Sequence, residues 1–324
     1  MRPIEAGAVF LGFSIRRGNP QPWTRFNVPY LMINAFDFAS RSSAEDWPSK
    51  PAKEILQYDG FVLCDSGGYQ VLQGDHCVNI KTVIALQHIL EPDLAAMLDH
   101  GGNLAIHFRN FRTYMRDYDG EFMPVIPVDI PTTSLDKFAD LALRSEYSTL
   151  GIGKFVPAVR PPAHYREIYK SFRRIARIRK KFPNTHLHLF GVGGVYTGLI
   201  SQLFVDSIDT SSWVHDARFW KVRVVGGGVF SAFGSHSQRR KMPDDLHCQC
   251  PSCLGGQLAA SVSMGLRGMK ARAIHNAWVA VEEYERAKRA RNEGTLFEYV
   301  RDRISKSPVH RVMLGKLAGL AHGA

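Results

Sequence analysis

A chain of 324 residues that is 45% hydrophobic can bury a full core, as one large domain or two smaller ones. No apolar run approaches the roughly 18 residues of a membrane span, and charge returns at Arg16 after a short apolar N-terminal run. A soluble cytoplasmic protein is therefore expected, and its net charge of +11 favours a polyanionic partner, of which nucleic acid is the usual one.

In chain order, Val9–Phe13 and Tyr30–Asn34 read as strands, and polar Ser40–Lys53 as a loop. Phe61-Val-Leu-Cys64 reads as a buried strand that runs into Asp65, a Ser-Gly-Gly turn and Tyr69. Val78–Leu90 has helical spacing, and Asp93–Leu98 runs apolar into a second acid, Asp99. A basic-aromatic segment, His107–Arg116, precedes a strand candidate at Phe122–Val128 and a helix at Leu135–Ser145. Thr149–Gly153 is short and glycine-bearing. Tyr165–Phe182 is a strongly basic helix, and His186–Gly194 is a strand ending in glycines. A short helix at Leu199–Phe204, a strand at Val205–Asp209 and another at Val222–Val225 follow. The last expected element is a long helix near Ser263–Asn292. The repeated order of strand, glycine or acid, and helix predicts an α/β fold. Polar residues at the C-terminal strand ends favour a (β/α)8 TIM barrel over a doubly wound sheet, since no GxGxxG follows the first strand. Residues 1–324 are expected as one barrel domain with an inserted C-terminal zinc-binding subdomain at about 240–292.

Two basic clusters stand out. Arg160–Lys181 holds nine Lys/Arg against one Glu, and Arg286, Lys288, Arg289 and Arg291 form the second. Either is a solvated helix face or a phosphate-binding surface.

Cys248-Gln-Cys250-Pro-Ser-Cys253, with His275 twenty-two residues on, is the strongest local signal. Three thiolates and an imidazole make a closed tetrahedral zinc site with no position left for water, so the expected Zn2+ is structural. His247 competes with His275 as the fourth ligand. Asp65, Asp99 and Asp209 each end a strand, where an aspartate is either a helix cap or, with others, part of a reaction centre. Paired carboxylates can act as nucleophile and acid/base on a glycosidic bond. Asp206 could take the place of Asp209, and Asp129 is a fourth candidate.

These segments together resemble the tRNA-guanine transglycosylases (queuine tRNA-ribosyltransferases). Asp65-Ser-Gly-Gly-Tyr-Gln70 is similar to their central motif, and Cys-x-Cys-x-x-Cys with Ile274-His275-Asn276 to their zinc motif and histidine helix. Phe190-Gly191-Val-Gly193 is similar to their Met-Gly-Val-Gly. Val205–Asp209 is similar to the segment carrying their nucleophile, and Asn34-Ala-Phe-Asp37 to their early Asn-Ala/Thr-Tyr segment. The motifs keep the family's order from about residue 28 to 292. The resemblance implies a zinc-bearing barrel that exchanges guanine for a 7-deazaguanine base in a nucleic acid. Asp209 would be the nucleophile that forms a glycosyl-enzyme, and Asp65 the acid/base. Asp99 would hold the Watson–Crick edge of the base. Tyr69 and Phe190 would cover its two faces, with Gly151, Gly153 and Gly191 contributing to its binding.

The chain also departs from that pattern. Relatives acting on tRNA carry Val-Gln-Gly-Gly at one strand end, whose Gln reads the base. Here the matching place is Val125-Ile-Pro-Val128-Asp129, so Asp129 is the expected substitute. The Thr210-Ser-Ser-Trp213 tail is unusual, and the extra RNA-binding domains of the archaeal enzymes are expected to be missing. A branch of the family acts on DNA, and these departures are compatible with it. The commoner tRNA activity is favoured slightly. A non-catalytic zinc and nucleic-acid-binding subunit and an unrelated barrel hydrolase are the other readings. Homodimers are common in such a family, so a homodimer is expected by analogy.

Overall fold

The computed structural model describes residues 3–16, 18, 20–39, 47–68, 79–100, 103–144, 147–155, 165–226, 228–231, 247–253, 256–257 and 265–321. Nine parallel strands form one sheet. They are β1 (Ala8–Gly12), β2 (Tyr30–Asn34), β3 (Phe61–Asp65), β4 (Leu94–Ala96), β5 (Phe122–Met123), β6 (Val125–Pro127), β7 (Thr149–Gly153), β8 (His186–Leu189) and β9 (Ser207–Thr210). Their spatial order is β5-β4-β3-β2-β1-β9-β8-β7-β6. The two edges are consecutive in sequence, separated by Pro124 alone. Proline has no N–H for the ladder, so β5 and β6 are one strand interrupted at that residue. β5 pairs with β4, and β6 pairs with β7. Across the break, the Gly151 N–H donates to Pro124 O at 2.8 Å. The sheet thereby closes into the expected barrel, eight strands around when the interrupted one is counted once.

Most strands are apolar on both faces because both faces are covered. In β3, Val62 and Cys64 join the layer under the helices, while Phe61 and Leu63 point to the barrel axis with Phe10 and Tyr30. The helices are α1 (Phe36–Ala39), α2 (Ala52–Leu56), α3 (Ile80–Leu90), α4 (Leu104–Asp117), α5 (Thr132–Arg144), α6 (Tyr165–Lys181), α7 (Val195–Ser201), α8 (Ser212–Arg218), α9 (Gly265–Asn292), α10 (Leu296–Arg303) and α11 (Pro308–Ala321). Asn79 caps α3, its side chain accepting from the Lys81 N–H, and Asn103 caps α4 in the same way. Buried Gln87 on α3 donates to Cys64 O and Ala96 O, which ties the helix to β3 and β4. Among the described residues no helix is long and apolar enough to cross a membrane.

Several boundaries differ from expectation. The basic-aromatic segment is the amphipathic helix α4, with Phe111 and Tyr114 buried. The expected loop at 40–53 ends in α2, which starts at Ala52, and its first residues lie outside the described set. The helix expected from Leu199 starts at Val195, where Gly194 is its N-cap. Val222–Val225 does not extend the barrel. β10 (Lys221–Val224) pairs antiparallel with β11 (Gly228–Ser231) in a ribbon outside the sheet.

Candidate active site

Side-chain alternation sends every second strand residue to the barrel axis, and the last inward position of each strand faces the C-terminal mouth. Asp65 closes β3 and Asp209 lies one residue from the end of β9, while Asp99 follows β4. All three line one cavity of about 290 Å³, together with Asn34, Ser66, Gly153, Lys154, Phe190 and Gly191. The three acids singled out in the sequence therefore converge. Asp206 does not take part: its carboxylate accepts from the Leu187 N–H and from Arg179, on the outer side of β9.

Each carboxylate is held differently. Asp209 is 4% exposed, and its Oδ1 accepts the Gly191 N–H at 2.7 Å. Asp65 Oδ2 accepts from Asn34 Nδ2 at 3.1 Å. Asn34 is fixed in turn, since its Oδ1 accepts the Phe36 N–H. Asp99 sits between two glycines, and a Cβ on either Gly68 or Gly153 would collide with its carboxylate oxygens. Gly67 takes a φ of +87°, and a Cβ there would strike Phe36. The Ser-Gly-Gly turn is thus required by close packing around two acids.

Burial raises the Asp65 carboxyl from its ordinary 3.8 to about 7, and the negative fields of Asp209 and Asp99 add to the shift. The Gly67 and Ser66 N–H groups offset part of it. Asp99 is raised to about 6, chiefly by burial; its own backbone N–H and Lys154 work against the rise, and Asp129 adds to it. Three carboxylates in one low-dielectric mouth cannot all ionise freely, so one stays available as a proton donor near neutral pH. The sign for stability follows. The folded state holds the Asp65 proton more tightly than the unfolded chain, so rising pH destabilises it between about 4 and 7. Asp65→Asn is expected to raise the melting temperature more at pH 8 than at pH 4, as differential scanning calorimetry would record. Equal gains at both pH values would contradict the shift.

Other candidates fall into place less directly. Gly151 lies beneath the Phe190 ring, with no room for a Cβ, and is not itself in the cavity wall. Asp129 does not line the cavity either. It pairs with Lys154 Nζ at 2.5 Å, and Lys154 is the member of the pair that faces the cavity. Sequence reading missed Lys154, whose left-handed φ of +62° turns its side chain towards Asp129. It also missed His215 and Arg218 of α8, which line the outer rim. Tyr69 lies outside the described residues.

The expected metal ligands assemble. Cys248, Cys250, Cys253 and His275 are all buried, and their ligand atoms lie within 4.8 Å of one another. His275 Nδ1 stands 3.2–3.5 Å from the three Sγ atoms. Tetrahedral bonds of about 2.3 Å to sulfur and 2.0 Å to nitrogen need separations of this order, so the donor set fits zinc. The other ring nitrogen, Nε2, lies 2.6 Å from Arg223 O. A carbonyl there takes the Nε2–H and leaves Nδ1 for the metal. The side chain of His247 lies outside the described set.

The cluster is wired to the mouth. Arg223 donates to Asp216 and to Ser212 Oγ, and Ser212 Oγ bonds Thr210 Oγ1, next to Asp209. Trp213 Nε1 donates to Gly12 O. Asn276 on α9 accepts the Arg223 N–H and donates to Trp213 O and Lys221 O. The unusual Thr-Ser-Ser-Trp tail is therefore the joint between β9 and the metal cluster.

The basic clusters differ. On α6, Arg166, Arg173, Lys180 and Lys181 are exposed, while Arg177 and Arg179 bond backbone carbonyls. At the end of α9, Arg286 and Arg289 face Glu282, Lys288 bonds Glu5, and Arg291 bonds the carbonyls of Gln202 and Val205. The second cluster is largely engaged within the protein, which leaves α6 as the stronger candidate for contact with a polyanion.

No protein-family model matches the chain. Among curated proteins it is similar to the tRNA-guanine(15) transglycosylase of Saccharolobus solfataricus, 24% identical over 285 residues, covering 79% of this chain and 53% of the relative. The protein of that name from Pyrococcus abyssi is 27% identical over 280 residues, covering 79% and 44%. That of Pyrococcus furiosus is 25% identical over 318 residues, covering 89% and 50%. The chain spans about half the length of the curated relatives it matches.

Proposed function

Starting from the chain's place in the tRNA-guanine transglycosylase superfamily, we propose that it is a pentosyltransferase that exchanges guanine for a 7-deazaguanine base in a nucleic acid. The observation that carries this reading is the convergence of Asp65, Asp99 and Asp209 with Phe190 on one cavity. At about 290 Å³ it suits a single planar base better than a larger ligand. The target nucleotide leaves its stack to reach the mouth, at a cost of a few kcal/mol. Phe190 covers one face of the base, and Tyr69 is proposed for the other. Asp99 accepts from the N–H groups of the Watson–Crick edge, Gly153 contacts the base edge, and the Asp129–Lys154 pair is proposed in place of the family's base-reading Gln.

Asp209 attacks C1′ of the ribose as the bond from C1′ to the base breaks, and the departing guanine takes the proton of Asp65. The incoming base then attacks C1′, gives its N–H proton to Asp65, and releases the Asp209 carboxylate. Asp65 must be protonated for one half-reaction and ionised for the other, and a carboxyl near 7 meets both needs. Zinc, held by Cys248, Cys250, Cys253 and His275, is proposed as structural, and α6 as a phosphate-binding face.

The similar proteins are tRNA-guanine(15) transglycosylases, which favours tRNA; the missing Gln keeps the same exchange on DNA as the second reading. Release of labelled guanine from tRNA and from duplex DNA, measured side by side with preQ1-type bases, tests both. Release from tRNA is expected. Release from DNA alone would transfer the proposal to that polymer, and release from neither would favour a non-catalytic binding subunit.

A further inference from the structure

The barrel interior below the mouth is apolar on most sides, with Phe10, Tyr30, Phe61, Leu63, Leu94 and Met123 filling it. One file of polar side chains breaks this pattern. His186 and His188 on β8 lie beside Ser207 and Asp209 on β9, all on inward positions, with His188 paired in register with Ser207. Ser207 Oγ lies 2.8 Å from His186 Nε2 and 2.9 Å from His188 Nδ1. His188 is fully buried, packed edge-on against Phe10 and Phe190. Among the described residues its Nε2 has no hydrogen-bond partner, and it lies 3.7 Å from Asp209 Oδ1.

The geometry points to His188 as the positioning residue of the Asp209 carboxylate, held in a single tautomer by Ser207 and His186. The inference rests on the reading of Asp209 as nucleophile. The donors run in one direction. His186 Nε2–H donates to Ser207 Oγ, Ser207 Oγ–H donates to His188 Nδ1, and His188 is left with its proton on Nε2, facing Asp209. A bare lone pair on Nε2 would face the Asp209 carboxylate, so the proton belongs on Nε2 and that sets the order, while burial keeps His186 neutral by pushing its ring down to about 4. The Gly191 N–H and the His188 Nε2–H then both address Oδ1, so the other oxygen is the one presented to C1′. A buried donor left short of its acceptor is costly, and such bonds often tighten only when substrate is bound.

His188 transfers no proton in this scheme. As the bond between Asp209 and C1′ breaks, the electron pair returns to the carboxylate, and the Nε2–H meets the negative charge as it forms. In the first half-reaction it aims the free oxygen at C1′, and in the second it stabilises the returning charge, so it acts on kcat and not on nucleic-acid affinity.

Steady-state exchange and single-turnover adduct formation test this with His188→Phe, His188→Gln and Ser207→Ala. His188→Phe is expected to lower kcat roughly 100-fold with KM for the nucleic acid within about twofold. His188→Gln, which can place an N–H near the same point, is expected to recover most of that loss. Ser207→Ala, which frees the tautomer, should cost several-fold in kcat. Wild-type kcat in His188→Phe, or in Ser207→Ala should the first variant not fold, would overturn the inference. So would equal losses in Phe and Gln variants accompanied by matching falls in melting temperature. Asp209→Asn run in parallel separates the two levels. If exchange survives in Asp209→Asn, the nucleophile assignment fails; if it is lost while His188→Phe is normal, only the role of His188 fails.

Discussion

Asparagine in place of Asp209 is expected to reduce guanine exchange by about 10⁴-fold or more, the scale seen when a covalent nucleophile is removed. The loss should fall on kcat. An amide can still accept the Gly191 N–H through its oxygen, so the local fold has no reason to change. The substitution also removes a negative field that raises Asp65, so the Asp65 carboxyl should titrate lower in the variant. Stability at pH 8 should then equal or exceed that of the parent, which separates loss of chemistry from loss of folding. Calorimetry at pH 8 beside the exchange assay checks both halves. Exchange at more than a few percent of the parental rate would remove Asp209 from the mechanism, and a collapse in melting temperature would void the comparison.

The second large effect concerns the metal cluster. His275→Ala, or chelation of the native protein, is expected to lower the melting temperature by about 10 °C or more, because the metal-binding free energy is folding free energy for the segment it organises. The loss should reach the active site. His275 lies against Arg223 O, Arg223 bonds Ser212, and Ser212 bonds Thr210 beside the proposed nucleophile. Exchange should therefore fall with metal content, and one zinc per chain should be found by elemental analysis. Chelation that leaves both melting temperature and activity unchanged would contradict a structural metal.

The parts of this site legible in the sequence share a physical reason. Asp65, Asp99 and Asp209 were visible because an acid at the end of a parallel apolar strand has only one mouth to face. The Cys-x-Cys-x-x-Cys spacing was visible because few other uses bring three thiolates so close. The barrel itself was legible from the alternation of strands and helices, but one detail of its closure was not. Phe122–Val128 reads as one strand, and its interruption at Pro124, with β5 pairing to β4 and β6 to β7, appears only in the structure. Val222–Val225 reads as a strand and is one, but an apolar run does not reveal that its partner is the antiparallel Gly228–Ser231 outside the barrel. Asp129 is the expected substitute for the base-reading Gln, and the structure pairs it with Lys154, which lines the cavity with a left-handed φ that no periodicity encodes. The cluster at 286–291 looked like a polyanion surface because a charge count is blind to Glu282, Glu5 and the Gln202 and Val205 carbonyls. His188 sat in plain view in an alternating segment, but nothing in that alternation showed that its free nitrogen meets Asp209.

The proposed reaction turns on a covalent link between Asp209 and the ribose of a nucleic acid. The direct measurement is denaturing electrophoresis of the protein mixed with end-labelled tRNA or DNA in the absence of free base, followed by peptide mapping of any adduct. A denaturant-stable complex is expected that forms as guanine is released, disappears when a 7-deazaguanine base is added, and maps to Asp209. Base exchange without an adduct, or an adduct that maps to Asp65 or Asp206, would contradict it.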